Sequence, residues 1–342
     1  MFAFHAASAP TGLMDELEKF IDFWCGPRRP EYGEPEDALQ TLKGPYPLRR
    51  LYAFAGRWPP MNDAYAYVGH LFGVQDHLVD ASGLKHRDDG KLVFLWENQG
   101  NWKCATLADG DDPPVWIDDW VEGTGAWLVA ADSLARFLVS YCLQELLYGS
   151  KLCVSDPSLT ELFDADASST PLWMNGPYTH PGGKDHNFCL WRESVLVWKG
   201  QGTHTFGANS VKGIDYLNAH QGEITELKVD VERWTLNIRA DGSGEIDVRD
   251  SYDSKADVPV GTFDFQAVRD RLLAARDDHK GLTDKASMFL IRRGQTSFKG
   301  SGVRDTEIVG ALYKRALQFA VNKQPGFERW LKDHPPLSQL GS

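Results

Sequence analysis

The sequence predicts an α+β protein with two domains. Helical patterns come first, short apolar strands and a helix follow, and a second set of strands and helices fills the other half. At 342 residues, the chain exceeds the usual length of one domain and can bury two cores. We therefore expect a first domain over residues 13–150, a connection over 151–186 and a second α+β domain over 187–333.

Three helices are predicted before the first strand. Leu13 to Cys25 has apolar residues at helical spacing and acidic residues in its opening turns, and glycine and proline follow it. A short helix opens at Glu34-Pro35-Glu36 and continues through Leu42. A third helix runs from Pro47 to Gly56, with proline at its start and glycine at its stop.

A strand meander is predicted between Gly90 and Trp127. Lys91–Asn98 and Asn101–Thr106 are extended runs separated by a turn at Gly100, and a short extended segment, Phe72–Leu78, precedes them. The loop that follows contains two prolines, which remove backbone donors and so cannot lie in a central strand. Val115 then begins a third apolar run.

A helix after the meander completes the first domain. Asp132-Ser133 supplies its N-cap. Its predicted apolar face consists of Leu134, Phe137, Leu138, Tyr141, Leu146 and Leu147. The domain is expected to end near Gly149-Ser150.

The second half repeats the mixture of strands and helices. Residues 151–186 are rich in Asp, Ser, Gly and Pro, which is typical of a domain boundary, and hold one helical turn. A hairpin is predicted over Trp234–Val248, with its turn at Asp241-Gly242-Ser243-Gly244. The other predicted elements are strands at 187–191, 195–199, 203–207 and 288–292 and helices at 211–219, 266–275 and 305–321. In the last helix, Ile308, Val309, Leu312, Tyr313 and Phe319 are expected to point inward.

Four stretches of the first half resemble one known family. They are PLRRLYAFAGRWP, VQDHLVD, DDGKLVFLWENQGNWKCATLADGDDPPVWI and SLARFLVSYCLQELLYG. In this order they look like the SUKH superfamily, the Smi/Knr-type domains found widely among bacterial immunity proteins. The resemblance covers roughly residues 13–150 and implies a mixed, mostly antiparallel sheet with flanking helices. The sequence departs from it at Ala55–Pro59, where many members have Asn-Gly-Gly.

The resemblance also implies a function. A SUKH-like immunity protein binds and neutralises a cognate protein toxin of a polymorphic or contact-dependent system by steric occlusion, and many such toxins are nucleases or deaminases. The alternative implied by the family is a regulatory or scaffold protein that has no toxin partner. Neither function needs catalysis or a cofactor, and the second domain has no assigned family.

The charge and the cysteines limit the choice of partner and compartment. Residues 1–150 carry 22 acidic and 12 basic residues, a net charge of −10, whereas residues 151–342 have a net charge of only −2. This balance disfavours nucleic acid and anionic membranes as partners and favours a basic protein. Five widely spaced cysteines without a CxxC pair indicate reduced thiols, and with no signal peptide or long apolar span they predict a cytoplasmic protein.

An acidic stretch interleaved with tryptophans is the predicted partner-binding site. Its residues are Asp109, Asp111, Asp112, Trp116, Asp118, Asp119, Trp120 and Glu122. Clustered carboxylates would face a basic partner, and exposed tryptophans would supply the apolar anchors of an interface. The alternative is an acidic loop over a sheet whose tryptophans, including Trp96, Trp102 and Trp127, all point into the core.

Catalytic and metal-binding patterns are weak in this sequence. His180 and His186 lack the further ligands that a metal site needs, and Gly200-x-Gly202 lacks the lysine and third glycine of phosphate-binding loops. Neighbouring residues such as Asp76-His77 and Asp278-His279 point apart on a strand or helix, so they do not form acid/base pairs. We therefore expect a non-enzymatic protein without metal or cofactor.

Overall fold

The computed structural model contains both helices and antiparallel sheets, which confirms the predicted α+β class. The structure describes residues 2, 4, 7, 9–42, 44–119, 126–177, 186–200, 202–223, 225–231, 234–248, 254–276, 286–292, 295–301 and 306–333.

The chain divides into two compact units at a place that the sequence did not indicate. The first unit comprises Met1–Val154 and Thr160–His220, and the second comprises Ser155–Leu159 and Gln221–Ser342. This division differs from the predicted boundaries at 150 and 187. Residues 151–186 are not a simple connection, because the described part of this segment contains two strands and a helix.

Three helices precede the first sheet, as predicted. They are α1 (Pro10–Cys25), α2 (Glu36–Thr41) and α3 (Tyr46–Ala55). The apolar residues of α1 that the helical spacing selected are all buried. Arg50 of α3 forms a two-pronged ion pair with Glu18 of α1, at 2.6 and 2.8 Å, which fixes the two helices to each other.

The first sheet is an antiparallel meander with an additional edge strand. Its strands are β1 (Asp76–Leu78), β2 (Lys85–His86), β3 (Lys91–Glu97), β4 (Trp102–Leu107), β5 (Val115–Asp119) and β6 (Trp127–Ala131). The order is β1-β3-β4-β5-β6, and β2 also pairs with β3. The predicted turn between β3 and β4 is confirmed, and Gly100 has a φ of 77° there, which favours glycine. The sequence did not predict β6, and only the end of Phe72–Leu78 is a strand.

The helix after the meander, α4 (Leu134–Tyr148), is buried on every side. Ser133 caps it as predicted, because its hydroxyl accepts a hydrogen bond from the Arg136 N–H at 3.1 Å. The single apolar face that the sequence predicted is too narrow, since 13 of the 15 residues are buried. One side of α4 packs on the first sheet, where Phe94 and Phe137 meet edge to face at 5.9 Å.

A second sheet packs on α4 within the first unit. Its strands are β7 (Leu152–Ser155), β8 (Ser169–Gly176), β9 (His186–Trp191), β10 (Val195–Trp198) and β11 (Thr205–Ala208), in the order β7-β11-β10-β9-β8. The helices α5 (Pro157–Ala165) and α6 (Val211–His220) accompany it. Leu172, Trp173, Phe188 and Leu196 join the core that contains α4. Of the polar residues that suggested a boundary, Asp166 and Ser168 lie between α5 and β8, Ser169, Thr170 and Asn175 lie in β8, and residues 178–185 lie outside the described part of the chain.

The second unit contains a third antiparallel sheet and the remaining helices. The strands are β12 (Glu226–Val231), β13 (Trp234–Arg239), β14 (Gly244–Val248), β15 (Lys255–Val258), β16 (Ala286–Arg292) and β17 (Gln295–Ser301). The helices are α7 (Phe265–Arg276), α8 (Thr306–Phe319) and α9 (Pro325–Asp333). The predicted hairpin is confirmed by the pairing of Trp234 with Val248. In α8, Leu312 is buried, but Phe319 is exposed, which corrects its predicted inward position.

We expect a fragment of residues 1–220 to fold, and a fragment of residues 1–150 to fail. The shorter fragment removes the second sheet and exposes the side of α4 that packs on Trp173 and Phe188. Each large apolar side chain that loses its burial costs about 1.5–3 kcal/mol. Thermal unfolding followed by near-ultraviolet circular dichroism tests this expectation. A cooperative transition in the 1–150 fragment would contradict it.

Candidate functional site

Two of the predicted site residues are exposed carboxylates at the tip of the β4–β5 loop. Asp109 and Asp111 lie on the surface and line a cleft of about 720 Å³ together with Tyr46, Arg49 and His86. Their charges face solvent, so they can act on a partner at a distance. These two residues fit the prediction of an acidic contact surface.

Asp112, from the same loop, has a structural role instead. Its Oδ2 accepts a hydrogen bond from the Ser133 hydroxyl at 2.6 Å, and its Oδ1 accepts one from the Ala135 N–H at 2.8 Å. A carboxylate at this position satisfies a free backbone donor and interacts favourably with the positive end of α4. Asp112 therefore has a capping role in the fold, and its contact with a partner stays a prediction.

Asp118 is also withdrawn from the surface. Its side chain is buried, and its carboxylate lies 2.9 Å from Lys103 Nζ on the neighbouring strand. A buried and paired charge cannot steer a distant partner, so this part of the predicted site is wrong. Asp119 ends β5 opposite Trp102, and the structure does not describe its side chain. Trp120 and Glu122 lie outside the described residues.

The tryptophans of the meander do not share one environment. Trp102 is buried in the core, as the core interpretation predicts. Trp96, Trp116 and Trp127 lie on the opposite side of the sheet, away from α4, and remain partly exposed. We call this side the tryptophan face and define it by these three rings with Lys103 and Val129. Both interpretations of the sequence were therefore partly right.

Strand register explains how the tryptophan face forms. Trp96 on β3 pairs with Lys103 on β4, Lys103 pairs with Asp118 on β5, and Asp118 pairs with Trp127 on β6. Residues that pair across an antiparallel sheet project from the same side. The result is one row across four strands in which two indole rings flank a buried ion pair.

Cations cover the rings of the tryptophan face. Lys103 Nζ lies 5.5 Å from the ring centre of Trp96, and Lys91 Nζ lies 5.4 Å from that of Trp116. Trp127 has three cations near its ring, with Lys91 Nζ and Lys103 Nζ at 5.8 Å and Arg87 Cζ at 5.5 Å. Such contacts are attractive and hold the rings in place. The tryptophan face is therefore rigid and locally cationic, in contrast to the acidic loop.

The contacts of these cations with the tryptophans were not predicted from the sequence, although one pattern in the sequence indicates them. A hairpin centred on the predicted turn at Asn98–Gly100 places Trp96 opposite Lys103. Arg87 could not be found in this way, because β6, which carries Trp127, was not predicted.

Two buried carboxyls, Glu145 and Asp76, have raised pKa values in the core. Glu145 of α4 is fully buried, and its carboxylate accepts hydrogen bonds from the N–H groups of Val74, Gln75 and Asp76 at 2.8, 2.9 and 3.1 Å. Asp76 is buried nearby and accepts a hydrogen bond from the Gln144 amide at 3.2 Å. Both carboxyls hold the strand β1 and the loop before it against α4.

Burial raises the pKa of both carboxyls. The pKa of Glu145 rises to about 8 because of burial and then of the nearby Asp76. The pKa of Asp76 rises to about 7, again first through burial and then through Glu97. Three N–H donors favour the charged form of Glu145, but burial outweighs them, so both carboxyls bind a proton more tightly than a carboxyl in water does. Neither group reaches the surface, so this pair is structural.

Other candidate groups offer little chemistry among the described residues. No cluster of three or more His, Cys, Asp or Glu side chains in the described ranges could hold a metal ion. His186 is buried and stacked on Phe188, and burial lowers its pKa to about 3, whereas His180 lies outside the described residues. Asp76 is buried and His77 exposed, which confirms that these neighbours point apart. Asp278 and His279 lie outside the described residues.

The cysteine thiols are free and mostly inaccessible. Cys104, Cys142 and Cys189 are buried, and Cys25 and Cys153 are partly buried. Burial raises the pKa of each thiol, which keeps the sulfur protonated and weakly nucleophilic.

Comparisons with known proteins gave no match among the models of protein families, the curated proteins or the solved structures. No helix in the described part of the chain is long and apolar enough to cross a membrane.

We expect Asp76→Asn to stabilise the protein at pH 8 and to leave its stability unchanged near pH 4. The folded state binds the Asp76 proton more tightly than the unfolded state, whose pKa is about 3.9, so stability is lost as pH rises from about 4 to about 7. The neutral amide avoids this loss, which is on the order of 3 kcal/mol. Urea unfolding of the protein and the variant at pH 4 and pH 8 measures this difference in the free energy of unfolding.

The matched control for this prediction is Asp111→Asn, which neutralises an exposed carboxylate near the same sheet. It should shift stability by the same small amount at both pH values. An equal gain for Asp76→Asn at pH 4 and pH 8 would show that the buried carboxyl is not protonated in the folded state.

Proposed function

We propose that this protein is a non-enzymatic immunity protein of the bacterial cytoplasm, which binds a cognate protein toxin and blocks it sterically. The observation that carries the proposal is the tryptophan face, a preformed aromatic surface on a sheet whose other side packs on the core that contains α4. The sequence resemblance to SUKH domains over residues 13–150 supplies the class of partner. Helices, an antiparallel sheet and a buried helix follow one another in the order that this resemblance implies.

The tryptophan face has the properties of an interface anchor. Trp96 on β3 is 44% exposed, and Val129 on β6, which pairs with Trp116, is 68% exposed. Tryptophan is enriched among the residues that dominate binding energy, because a large ring buries much area and has few rotatable bonds. Lys91 and Lys103 hold the rings in position before a partner arrives, which lowers the entropy cost of binding.

Charge supports a basic partner at longer range. The first 150 residues have a net charge of −10, and Asp109 and Asp111 project it into solvent. A basic toxin, such as an enzyme that binds nucleic acid, would be attracted by this field before contact. The cations of the tryptophan face are partly neutralised by Asp89 and Asp118 and therefore affect only local contacts. In this proposal the acidic loop speeds association, and the tryptophan face slows dissociation.

The direct test is binding to the toxin encoded beside this gene. The variable C-terminal domain of a large upstream open reading frame should form a complex with the full chain in gel filtration and should lose its activity. A scaffold protein without a toxin would show neither effect.

We expect Trp96→Ala to weaken toxin binding through faster dissociation. Loss of a central aromatic anchor costs on the order of 2 kcal/mol, which is about a thirtyfold increase in Kd. Phe23→Ala is the matched control, because Phe23 is an aromatic residue of the same unit with 49% exposure and lies on α1, outside the tryptophan face. Surface plasmon resonance measures both dissociation rates. Equal effects of the two substitutions would show that the tryptophan face is not part of the interface.

We expect the double variant Asp109→Lys and Asp111→Lys to slow association at low salt and to leave dissociation nearly unchanged. Exposed charges act through long-range attraction, which is screened over about 8 Å at physiological ionic strength. Asp88→Lys combined with Asp63→Lys provides a control with the same change in net charge at other exposed positions. If both double variants slow association equally, the net charge matters and the β4–β5 loop has no special role.

A further inference from the structure

The last strand of the first sheet, β6, has an open edge. Its hydrogen-bonded neighbour is β5, and no other strand in the described part of the chain pairs with it. Leu128 and Val129 are consecutive residues of β6 that point to opposite sides of the sheet, and they are 46% and 68% exposed. The edge is therefore uncovered on both sides. An apolar edge of this kind is a template for another strand.

Two other edge strands of this protein, β8 and β15, carry features that discourage pairing. β8 contains Pro171, and its register shifts at that residue. β15 carries Lys255 and Asp257, and Asp257 forms two backbone hydrogen bonds with Val321, at 3.0 and 2.8 Å, beyond the strand. By contrast, the five residues of β6, WLVAA, include neither proline nor charge. β6 itself has a register shift against β5, but it lacks the proline of β8 and the charges of β15.

The two ends of β6 carry opposite charges. At the beginning of the strand, Trp127 is surrounded by Arg87, Lys91 and Lys103. Directly after its end, Asp132 is exposed. When two copies of one strand pair in antiparallel fashion, the beginning of each meets the end of the other. Self-pairing of β6 therefore places the carboxylate of Asp132 from one copy beside the cations of the other.

The directions in which the side chains of β6 project are compatible with this pairing. Trp127 pairs with Asp118 on the tryptophan face, and Leu128 pairs with Ile117 on the opposite side. A register shift at Val115/Trp116 changes the alternation, so that Ala131 pairs with the buried Val115 and lies on the same side as Leu128. When Trp127 of one copy lies opposite Asp132 of the other, Leu128 lies opposite Ala131 on the other side of the sheet. Leu128 and Ala131 therefore meet on the side of the sheet opposite the tryptophan face.

We propose that this protein forms a symmetric dimer by antiparallel pairing of β6 with β6 of a second copy. The pairing joins the two first sheets into one continuous sheet and sets the two tryptophan faces side by side. A five-residue edge buries less area than the 1,200–2,000 Å² typical of stable interfaces. The dimer is therefore weak and depends on protein concentration.

Sedimentation velocity of the full chain over a range of concentrations tests the proposal, with the protein itself as the probe. The average mass should rise toward the dimer with concentration. Val129→Glu places a charge on the edge and should weaken association by about tenfold or more. Val260→Glu is the matched control, because Val260 is 69% exposed in the second unit, and it should leave association unchanged.

A charge exchange tests the register. Asp132→Lys should weaken the dimer by placing like charges together, and so should Arg87→Asp. The double variant Arg87→Asp with Asp132→Lys restores opposite charges and should recover part of the association. A monomer at every concentration would overturn the proposal, as would equal effects of Val129→Glu and Val260→Glu or a double variant no better than either single one. A β6 edge that instead binds the toxin would give monomers whose toxin binding is reduced by Val129→Glu.

Discussion

The complete burial of α4 is the constraint on which the first unit depends. A helix enclosed on all sides must satisfy each polar group that it carries, because an unpaired buried group costs about 1–3 kcal/mol. Ser140 accepts a hydrogen bond from the Trp173 indole at 2.8 Å, and Glu145 accepts three from the backbone around β1. The Trp24 indole donates to the carbonyl oxygen of Leu146 at 3.3 Å. These bonds attach both sheets and α1 to one helix.

This constraint also decides which charges remain for binding. Asp112 supports the start of α4, Asp118 neutralises Lys103, and Glu145 holds the backbone beside β1. Carboxylates that looked like one acidic surface in the sequence therefore have different functions in the fold. The exposed loop residues and the tryptophan face are separate surfaces of opposite local charge. A binding protein can use the first for the rate of encounter and the second for the lifetime of the complex.

Local patterns predicted the elements well, whereas long-range partners were harder to predict. The helix α1, the β3–β4 turn and the Ser133 cap follow from spacing and residue type over a few positions. The function of Asp112 does not, because Ser133 lies 21 residues further along the chain. The outward position of Trp116 and Trp127 depends on strand register, and β6 resembles an irregular apolar stretch in isolation. The segment 151–186 was misjudged because its turns are polar, although Leu172 and Trp173 lie in the core.

The polar contacts of α4 also restrict how this protein can evolve. Ser140 and Trp173 lie 33 positions apart, and Gln144 and Asp76 lie 68 positions apart, yet the members of each pair depend on each other. Replacement of one partner alone leaves a buried donor or acceptor unsatisfied, so drift at these sites must proceed by compensating double changes or by exchange for apolar residues of similar shape. The exposed loop residues Asp109 and Asp111 and the exposed Val129 are not part of these buried pairs. Surface recognition can therefore diversify rapidly among descendants while the interior of the helix stays nearly fixed.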